Sequence, residues 1–291
     1  MTLISQAIVD GLLTGGIYAL MASGLTLVFG VMDIINIAQG ALVVLGAYLS
    51  FVLQTHLHID LFVGLLITMP AMFLLGLVIE WAFVRPLKRD RTQLSILVTF
   101  AVALIIEGLL GNVFTTDYQQ LHAWYTEQSL HLLGFYLPYI YVFAFLLSVV
   151  LLGGLYLLLY RTTFGRSLRA TMENRTAAQL IGIDVERVSA VTFGIGVALT
   201  AAGGMAFGAT TSFNPGSSYD LISRLLVIII LGGMGSLSGA LIASLSMLVI
   251  EDIVAVVWSP VWSSTIFFAL LVVLLLIRPQ GLLGKLATRS Q

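Results

Sequence analysis

Few residues of this sequence could do chemistry in an apolar environment, and those few lie in or beside long hydrophobic runs. Glu107 lies well inside one run, where a carboxylate either serves function or fixes packing through hydrogen bonds, and we favour the structural role. Asp220 and Arg224 have i,i+4 spacing, which predicts a local ion pair on one helix. Asp33 is the last residue of an interruption at residues 30–33 and is predicted to cap the start of a helix. No catalytic residue is predicted from these types and spacings.

Several kinds of chemistry have no support in the sequence. Cysteine is absent, which excludes disulfides, thiolate catalysis and cysteine-based metal sites. The pattern G-x-x-x-x-G-K-[ST] does not occur, so the chain has no phosphate-binding loop of the usual kind for ATP. There is no His-Glu-x-x-His pair, and His56 and His58 have no clustered partners and are interpreted as loop residues. An intramembrane enzyme is therefore poorly supported, and no metal or cofactor is predicted for this chain.

The positive charges are distributed asymmetrically along the chain. Lys and Arg number 13 and, apart from Arg224, they fall in three short clusters between apolar runs, within residues 85–91, 161–187 and 278–289. Because positively charged loops resist translocation, such clusters mark the cytoplasmic side of a polytopic membrane protein. The distribution predicts a cytoplasmic C-terminus and an external N-terminus.

The composition agrees with a membrane protein. The mean hydropathy is +1.06 and only 9% of the residues are charged, whereas an ordinary soluble domain carries about 25%. Most apolar runs are long enough to cross roughly 30 Å of hydrocarbon as helices, and the alternating pattern of a membrane barrel is missing. We therefore predict an all-α polytopic membrane protein, a helical bundle of about eight or nine transmembrane spans with broken helices, forming one domain over residues 1–291.

The predicted spans follow the apolar runs. They cover about 5–30, 34–54, 61–84, 93–112, 136–160, 188–211, 237–257 and 261–277. Residues 221–231 are too few to cross unaided and run into a glycine cluster at 232–235, so they are interpreted as a short or broken helix. Counting this segment gives nine passes, and merging segments gives eight. Residues 115–134 contain no Lys or Arg and are predicted to form an external loop.

Residues 161–187 form the one sizeable polar stretch on the predicted cytoplasmic side. Within it, residues 167–180 lack Gly and Pro and are predicted to form an amphipathic helix that ends at Gly182. The predicted apolar stripe consists of Leu168, Met172, Ala178 and Ile181, and the predicted solvated side chains are those of Arg169, Glu173 and Arg175. Such a helix either docks into a groove of a soluble partner or rests in the lipid headgroups, and periodicity leaves both open.

Five ordered stretches resemble the permeases of branched-chain amino-acid ABC transporters of the LivH type. They are GGIYALMASGLTLVFG at 15–30, NIAQGALVVLGAY at 36–48, ATMENRTAAQLIG at 170–182, LGGMGSLSGA at 231–240 and RPQGLLG at 278–284. The resemblance covers nearly the whole chain and is weakest around residues 115–134. Where many relatives carry Asn-Phe-Ala-His-Gly, this chain has Asn-Ile-Ala-Gln-Gly at 36–40, so any contribution of that His and Phe is absent here.

The resemblance implies a multi-pass permease subunit in a bacterial inner membrane, importing branched-chain or other hydrophobic, neutral amino acids. Its implied partners are a second related permease, two cytoplasmic ABC ATPases that hydrolyse ATP, a periplasmic binding protein and the lipid bilayer, with no nucleic acid. Glu251 and Asp252 lie near the predicted outer end of their span and are expected to face the second permease or the binding protein.

The same resemblance makes residues 161–187 the coupling loop, which meets the ATPase. The residues expected to take part in coupling are Arg169, Ala170, Glu173, Ala177, Ala178, Leu180 and Gly182. The substrate path is predicted along the interrupted segments 30–40 and 232–239, because broken helices expose N–H and carbonyl groups that can meet a zwitterion. The predicted path residues are Asn36, Gln39, Gly40, Gly232, Gly233, Gly235 and Ser236.

Alternatives remain open at this point. For Asn36, an interhelical hydrogen bond worth about 1 kcal/mol is slightly favoured over a place on the path, and for the glycines tight helix packing is favoured. Within the family, the substrate could instead be urea, a short amide or another amino acid. A secondary transporter driven by protons or Na⁺ would use the broken helices and Glu107 without an ATPase, and the docking-type loop argues against it.

Overall fold

The computed structural model describes residues 2–87, 91–126, 128–132, 135–278 and 281–283. The helices are α1 (Thr2–Met32), α2 (Gln39–Leu57), α3 (Leu61–Ile79), α4 (Arg91–Phe114), α5 (Tyr139–Arg161), α6 (Thr163–Glu173), α7 (Arg175–Leu180), α8 (Val185–Thr210), α9 (Ser217–Gly232), α10 (Leu237–Val257) and α11 (Pro260–Ile277). A π-helical turn, Glu80–Val84, extends α3, and strands β1 (Ser129–Leu132) and β2 (Phe135–Pro138) form an antiparallel hairpin.

Eight of the described helices are long and apolar enough to cross a membrane, namely α1 to α5, α8, α10 and α11. This confirms the predicted all-α polytopic class. Helix α9 has 16 residues and is shorter than these spans, in agreement with the short helix predicted at 221–231. A non-helical turn at 233–236 separates it from α10.

The bundle packs around α1 and α8, which are the most buried of the spans. Their backbones approach closely at Gly24 and Gly196, where a Cβ added to Gly24 would lie 2.5 Å from the Gly196 carbonyl oxygen. Small residues permit such contacts. Because the hydrophobic effect does not drive helices together in lipid, these packing contacts hold them together there. Helices α2 and α3 pack on α8, and α10 packs along α1.

The loop between α4 and α5 folds over the end of the bundle that we call the hairpin end. Gln119 pairs with Phe213 through an isolated backbone bridge, which joins this loop to the loop before α9. The Tyr125 hydroxyl donates to Asp60 at 3.0 Å, and Asp60 also caps α3. Burial and this carboxylate raise the pKa of the Tyr125 phenol. The sequence predicted the loop but not its hairpin.

Two predictions at the end of α1 are wrong. Asp33 does not begin a helix: its amide donates to the Phe29 carbonyl at 2.8 Å and its φ is 54°, so it terminates α1 in the left-handed conformation. Asp tolerates this conformation better than most residues. Consequently α2 begins at Gln39 and not near residue 34, because residues 33–36 are not helical.

Some predicted features lie outside the described residues. They are the cations Lys88, Arg89, Lys285 and Arg289 and the loop carboxylate Glu127.

Candidate functional site

The segment between α5 and α8 forms a two-helix cap at the end of the bundle opposite the hairpin. The Thr162 hydroxyl accepts from the Gly165 amide at 3.0 Å and starts α6. Asn174 is extended, and its side chain accepts from the Ala177 amide at 2.9 Å, which starts α7. The predicted single helix over 167–180 is therefore wrong. Asparagine is a strong N-cap because its side chain offers the backbone an alternative hydrogen bond.

One face of the cap packs on the bundle. Leu168 and Ala178 are buried and Met172 is half-buried, as the predicted stripe requires, but Ile181 is exposed and does not belong to it. Arg169 was predicted to be solvated and is half-buried, because its guanidinium stacks 4.7 Å from the centre of the Tyr160 ring. Glu173 is exposed as predicted, and Arg175 is half-buried.

The tip of the cap carries exposed apolar side chains. Leu180 is 83% exposed and Ile181 is 74% exposed. Gly182 follows with φ at 86°, and its amide donates to the Gln179 carbonyl at 3.0 Å, which confirms it as the residue that ends the helix. Large apolar residues exposed beside polar ones commonly mark a protein contact.

The residues predicted for coupling divide by burial. Glu173, Ala177, Leu180 and Gly182 are exposed, Arg169 and Ala170 are half-buried, and Ala178 is buried. Their role in coupling stays a prediction.

A cavity of about 870 Å³ lies behind the cap, and we call it the α6 cavity. Its walls are α1 from Ala19 to its C-terminal end, α5 from Leu152 to Tyr160, α6, residues 234–236 of the turn before α10, and the first residues of α10. Apolar side chains make most of the α5 wall, and Ser23, Thr171 and the turn add polar groups. A partly open space with mixed walls can admit a small amphipathic molecule.

Two contacts lead from the cap through α1 to the turn that lines the α6 cavity. A Cβ added to Gly30 at the end of α1 would lie 2.5 Å from the Met172 Cε of α6. A Cβ added to Gly235, whose φ is 83°, would lie 3.4 Å from the Gly30 Cα. Ser236 then starts α10 by accepting from the Gly239 amide at 3.1 Å. Met172 of α6 therefore contacts α1, and α1 in turn contacts the turn before α10.

The predicted path residues fall into two groups. Gly235 and Ser236 line the α6 cavity, whereas Gly232 and Gly233 do not, and Gly232 packs against Gly239. Asn36, Gln39 and Gly40 also lie away from it, inside the packed bundle. A role of these residues in substrate passage stays a prediction.

Asn36 and Gln39 are fully buried in a polar network between helices. The Gln39 amide donates to the Thr200 hydroxyl of α8 at 2.6 Å and to the Met21 carbonyl of α1 at 3.3 Å. Asn36 donates to the Gln39 side-chain oxygen at 3.2 Å. An interhelical hydrogen bond is the role favoured for Asn36 over a place on the path. In the structure Asn36 bonds to Gln39, and it is Gln39 that makes the bonds joining α1, α2 and α8.

Comparison with known protein families identifies the family to which this chain belongs. Residues 7–275 match the family model described as branched-chain amino acid transport system, permease component. The chain belongs to this permease family.

Individual relatives match this permease along most of its length. The high-affinity branched-chain amino acid transport system permease protein BraD of Pseudomonas aeruginosa is 28% identical over 96% of this chain and 95% of its own. The permease protein LivH of Escherichia coli K12, from the transport system of the same description, has the same identity and coverage. LivM of Escherichia coli K12 is 25% identical over 99% of this chain and 72% of its own. No solved structure matches the chain.

The permease also contains a network of charged groups that joins α9 to α10. The predicted pair of Arg224 with Asp220 is confirmed, with Nε to Oδ2 at 3.0 Å. Arg224 also donates from Nη1 to both carboxylate oxygens of Glu251 at 2.7 and 2.8 Å, and from Nη2 to the Ser264 hydroxyl at 3.2 Å. Glu251 is only 8% exposed, so the expectation that it faces a partner is wrong. Asp252 is half-buried.

Sequence reasoning missed the Arg224–Glu251 pair because the two residues are 27 positions apart and lie on different helices. The signal that could have found it is the isolation of Arg224 from the other cations, since a buried cation requires a buried anion.

Glu107 is half-buried and accepts from the Ser218 hydroxyl at 3.4 Å, in keeping with the structural role favoured for it. Among the described residues, no group of His, Asp or Glu is arranged to hold a metal ion.

Proposed function

We propose that this permease is the membrane subunit of an ATP-driven importer of branched-chain amino acids and that the α6 cavity is its half of the translocation path. Membership of the permease family over residues 7–275 carries the proposal. The substrate class is the one in the names of BraD and LivH. The α6 cavity, at about 870 Å³, is within the range of roughly 300–1,000 Å³ of small-molecule sites.

The energy comes from partner subunits in this proposal. The sequence has no phosphate-binding loop, so two cytoplasmic ATPases bind and hydrolyse ATP. Leu180 and Ile181 enter a groove on one ATPase as an apolar anchor, as helical segments commonly do in soluble partners. The contacts from Met172 through Gly30 to Gly235 carry the ATPase movement to the walls of the α6 cavity.

A second permease and a periplasmic binding protein complete the assembly. The α6 cavity is partly open, and a related permease packed beside it would close the path. The match to both LivH and LivM, two permease proteins of one organism, supports a related pair.

Residues 1–291 form one permease domain of a multi-pass inner-membrane protein in this proposal. We place the N-terminus in the periplasm and the C-terminus in the cytoplasm. The exposed apolar tip of α7 then lies in the cytoplasm, where an ATPase can reach it.

Uptake into proteoliposomes tests the proposal. The chain is reconstituted with a related permease, two ATPases and the binding protein, and radiolabelled leucine uptake is measured. We expect uptake that requires ATP and the binding protein and that ionophores do not change. An inactive ATPase variant is the matched control. Uptake driven by a proton or Na⁺ gradient without ATP would overturn the proposal, and transport of urea or a short amide in place of leucine would overturn the substrate class.

A further inference from the structure

A second pocket opens at the hairpin end of the bundle, opposite the α6 cavity. It has a volume of about 610 Å³ and lies between α1, the end of α8 and the start of α9, and we call it the α9 pocket. Tyr18, Phe207, Asp220 and Arg224 form part of its walls. The α9 pocket therefore combines one cationic group, one anionic group and aromatic surface in a space large enough for an amino acid.

The two carboxylates that pair with Arg224 differ in their surroundings. The Glu251 side chain is 10% exposed and binds one end of the guanidinium through two short contacts, which neutralises the charge inside the bundle. The Asp220 side chain is 66% exposed and contacts Nε alone at 3.0 Å. Because the Asp220 carboxylate is exposed, water already competes with Arg224 for it. Asp220 can therefore exchange its partner while Glu251 continues to hold Arg224.

We propose that Asp220 and Arg224 form a binding subsite for the charged groups of a zwitterionic α-amino acid, a site that deepens the proposed function and rests on it. The ammonium group of the substrate pairs with the Asp220 carboxylate. The substrate carboxylate accepts the Nε–H of Arg224 that Asp220 releases. Every charge keeps an opposite partner throughout this exchange, so entry of the zwitterion leaves no buried charge unpaired.

The walls of the α9 pocket suit the remainder of such a substrate. Phe207 and Tyr18 supply aromatic surface that can cover an aliphatic side chain. Tyr18 belongs to α1, and the next residue, Ala19, lines the α6 cavity. The two spaces therefore reach the same turn of α1 from opposite ends of the bundle. In this proposal the α9 pocket is the entrance of a route whose exit is the α6 cavity.

A measurement of weak leucine binding to the intact complex tests the subsite. Saturation-transfer NMR is recorded with leucine and the purified complex of permease and ATPases, without the binding protein. Asp220→Asn keeps the shape of the side chain and removes its charge, and we expect it to weaken leucine affinity by about tenfold or more, as loss of a charged hydrogen-bond partner does. Asp117→Asn is the matched control, since Asp117 is another exposed carboxylate at the hairpin end and does not line the α9 pocket.

Two analogues separate a subsite from a structural role. 4-Methylpentanoate lacks the ammonium group and 3-methylbutylamine lacks the carboxylate, and we expect both to bind the unmodified complex at least about tenfold more weakly than leucine. The inference is overturned if Asp220→Asn binds leucine as well as Asp117→Asn does, or if either analogue binds like leucine. If ATP-dependent leucine uptake succeeds while these binding results fail, this inference alone is wrong. If leucine uptake fails together with these binding results, the proposed function is wrong as well.

Discussion

Gln39 joins three helices through the hydrogen bonds of its side chain. Gln39 belongs to α2, and its side-chain amide donates to the Thr200 hydroxyl of α8 and to the Met21 carbonyl of α1. The side chain is fully buried, so its polar atoms depend on these partners. A buried amide without hydrogen bonds would destabilise the bundle. This geometry favours a structural role for Gln39.

The variant Gln39→Leu tests that role. It removes both donors and leaves the Asn36 amide and the Thr200 hydroxyl without this partner. We expect a loss of about 1–3 kcal/mol in the free energy of unfolding, seen as a lower midpoint of thermal unfolding in detergent. Gln93→Leu is the control, because Gln93 is exposed on α4. A Gln39→Leu protein that unfolds like this control but no longer transports would place Gln39 on the substrate path instead.

At the residue scale, the sequence predicts contacts that are local and misses those that are distant. The Asp220–Arg224 pair follows from i,i+4 spacing on one helix. The pairing of Arg224 with Glu251 depends on how α9 packs against α10, and no spacing in the sequence encodes it. The same holds for the α9 pocket, whose walls come from segments far apart in the chain.

At the scale of elements, the cap formed by α6 and α7 is the part of the bundle best placed to transmit force. Met172 of α6 contacts Gly30 of α1, and Gly30 contacts Gly235 in the turn before α10. A Cβ added to Gly30 would lie 2.5 Å from the Met172 Cε and would displace it, whereas one added to Gly235 would lie at ordinary contact distance, 3.4 Å, from the Gly30 Cα. A push on the cap is therefore passed on as movement of packed elements.

Replacement of Gly182 tests transmission through the cap. Its φ of 86° disfavours any residue with a Cβ, and the left-handed conformation costs roughly 1–2 kcal/mol for such residues. We expect Gly182→Val to distort the tip, so that ATP hydrolysis continues while leucine uptake is lost. Membrane insertion should remain intact, because nothing lies within 4 Å of an added Cβ.

Gly182→Asn is the matched control, since Asn tolerates the left-handed conformation far better than Val. It should retain most of the uptake. Full transport by Gly182→Val would contradict the account of the cap.

Element positions were predictable where hydropathy alone decides them. The long spans match the apolar runs because burying about twenty apolar residues in lipid requires a helix. The division of the cap at Asn174 does not follow from the absence of Gly and Pro, because an asparagine N-cap starts a new helix without either residue. The hairpin does not follow from hydropathy, because its strands have only four residues each and β2 overlaps the start of the apolar run at 136–160.

At the scale of the whole molecule, the account depends on which end of the bundle faces the cytoplasm. The chain has no cysteine, so single-cysteine variants can be labelled without background. Tyr118 is 70% exposed at the hairpin end, and Leu180 is 83% exposed at the tip of the cap.

Labelling with a membrane-impermeant maleimide tests this orientation. We expect Tyr118→Cys to react in cells whose inner membrane is intact and Leu180→Cys to react only after that membrane is opened. Both should react equally in detergent, which serves as the control for reactivity. The opposite pattern would reverse the topology and remove the cap from the reach of a cytoplasmic ATPase.

The most direct test of the central claim is a crosslink from the tip of the cap to the ATPase. Leu180→Cys is joined to the assembled complex with a reagent that links thiols to amines, and Ala178→Cys, buried on the same helix, is the control. The account predicts a permease–ATPase product from Leu180→Cys, with a yield that changes between ATP and ADP, and little product from Ala178→Cys. If Leu180→Cys yields no ATPase product, or no more than Ala178→Cys, the cap is not the contact with the ATPase and the account is contradicted.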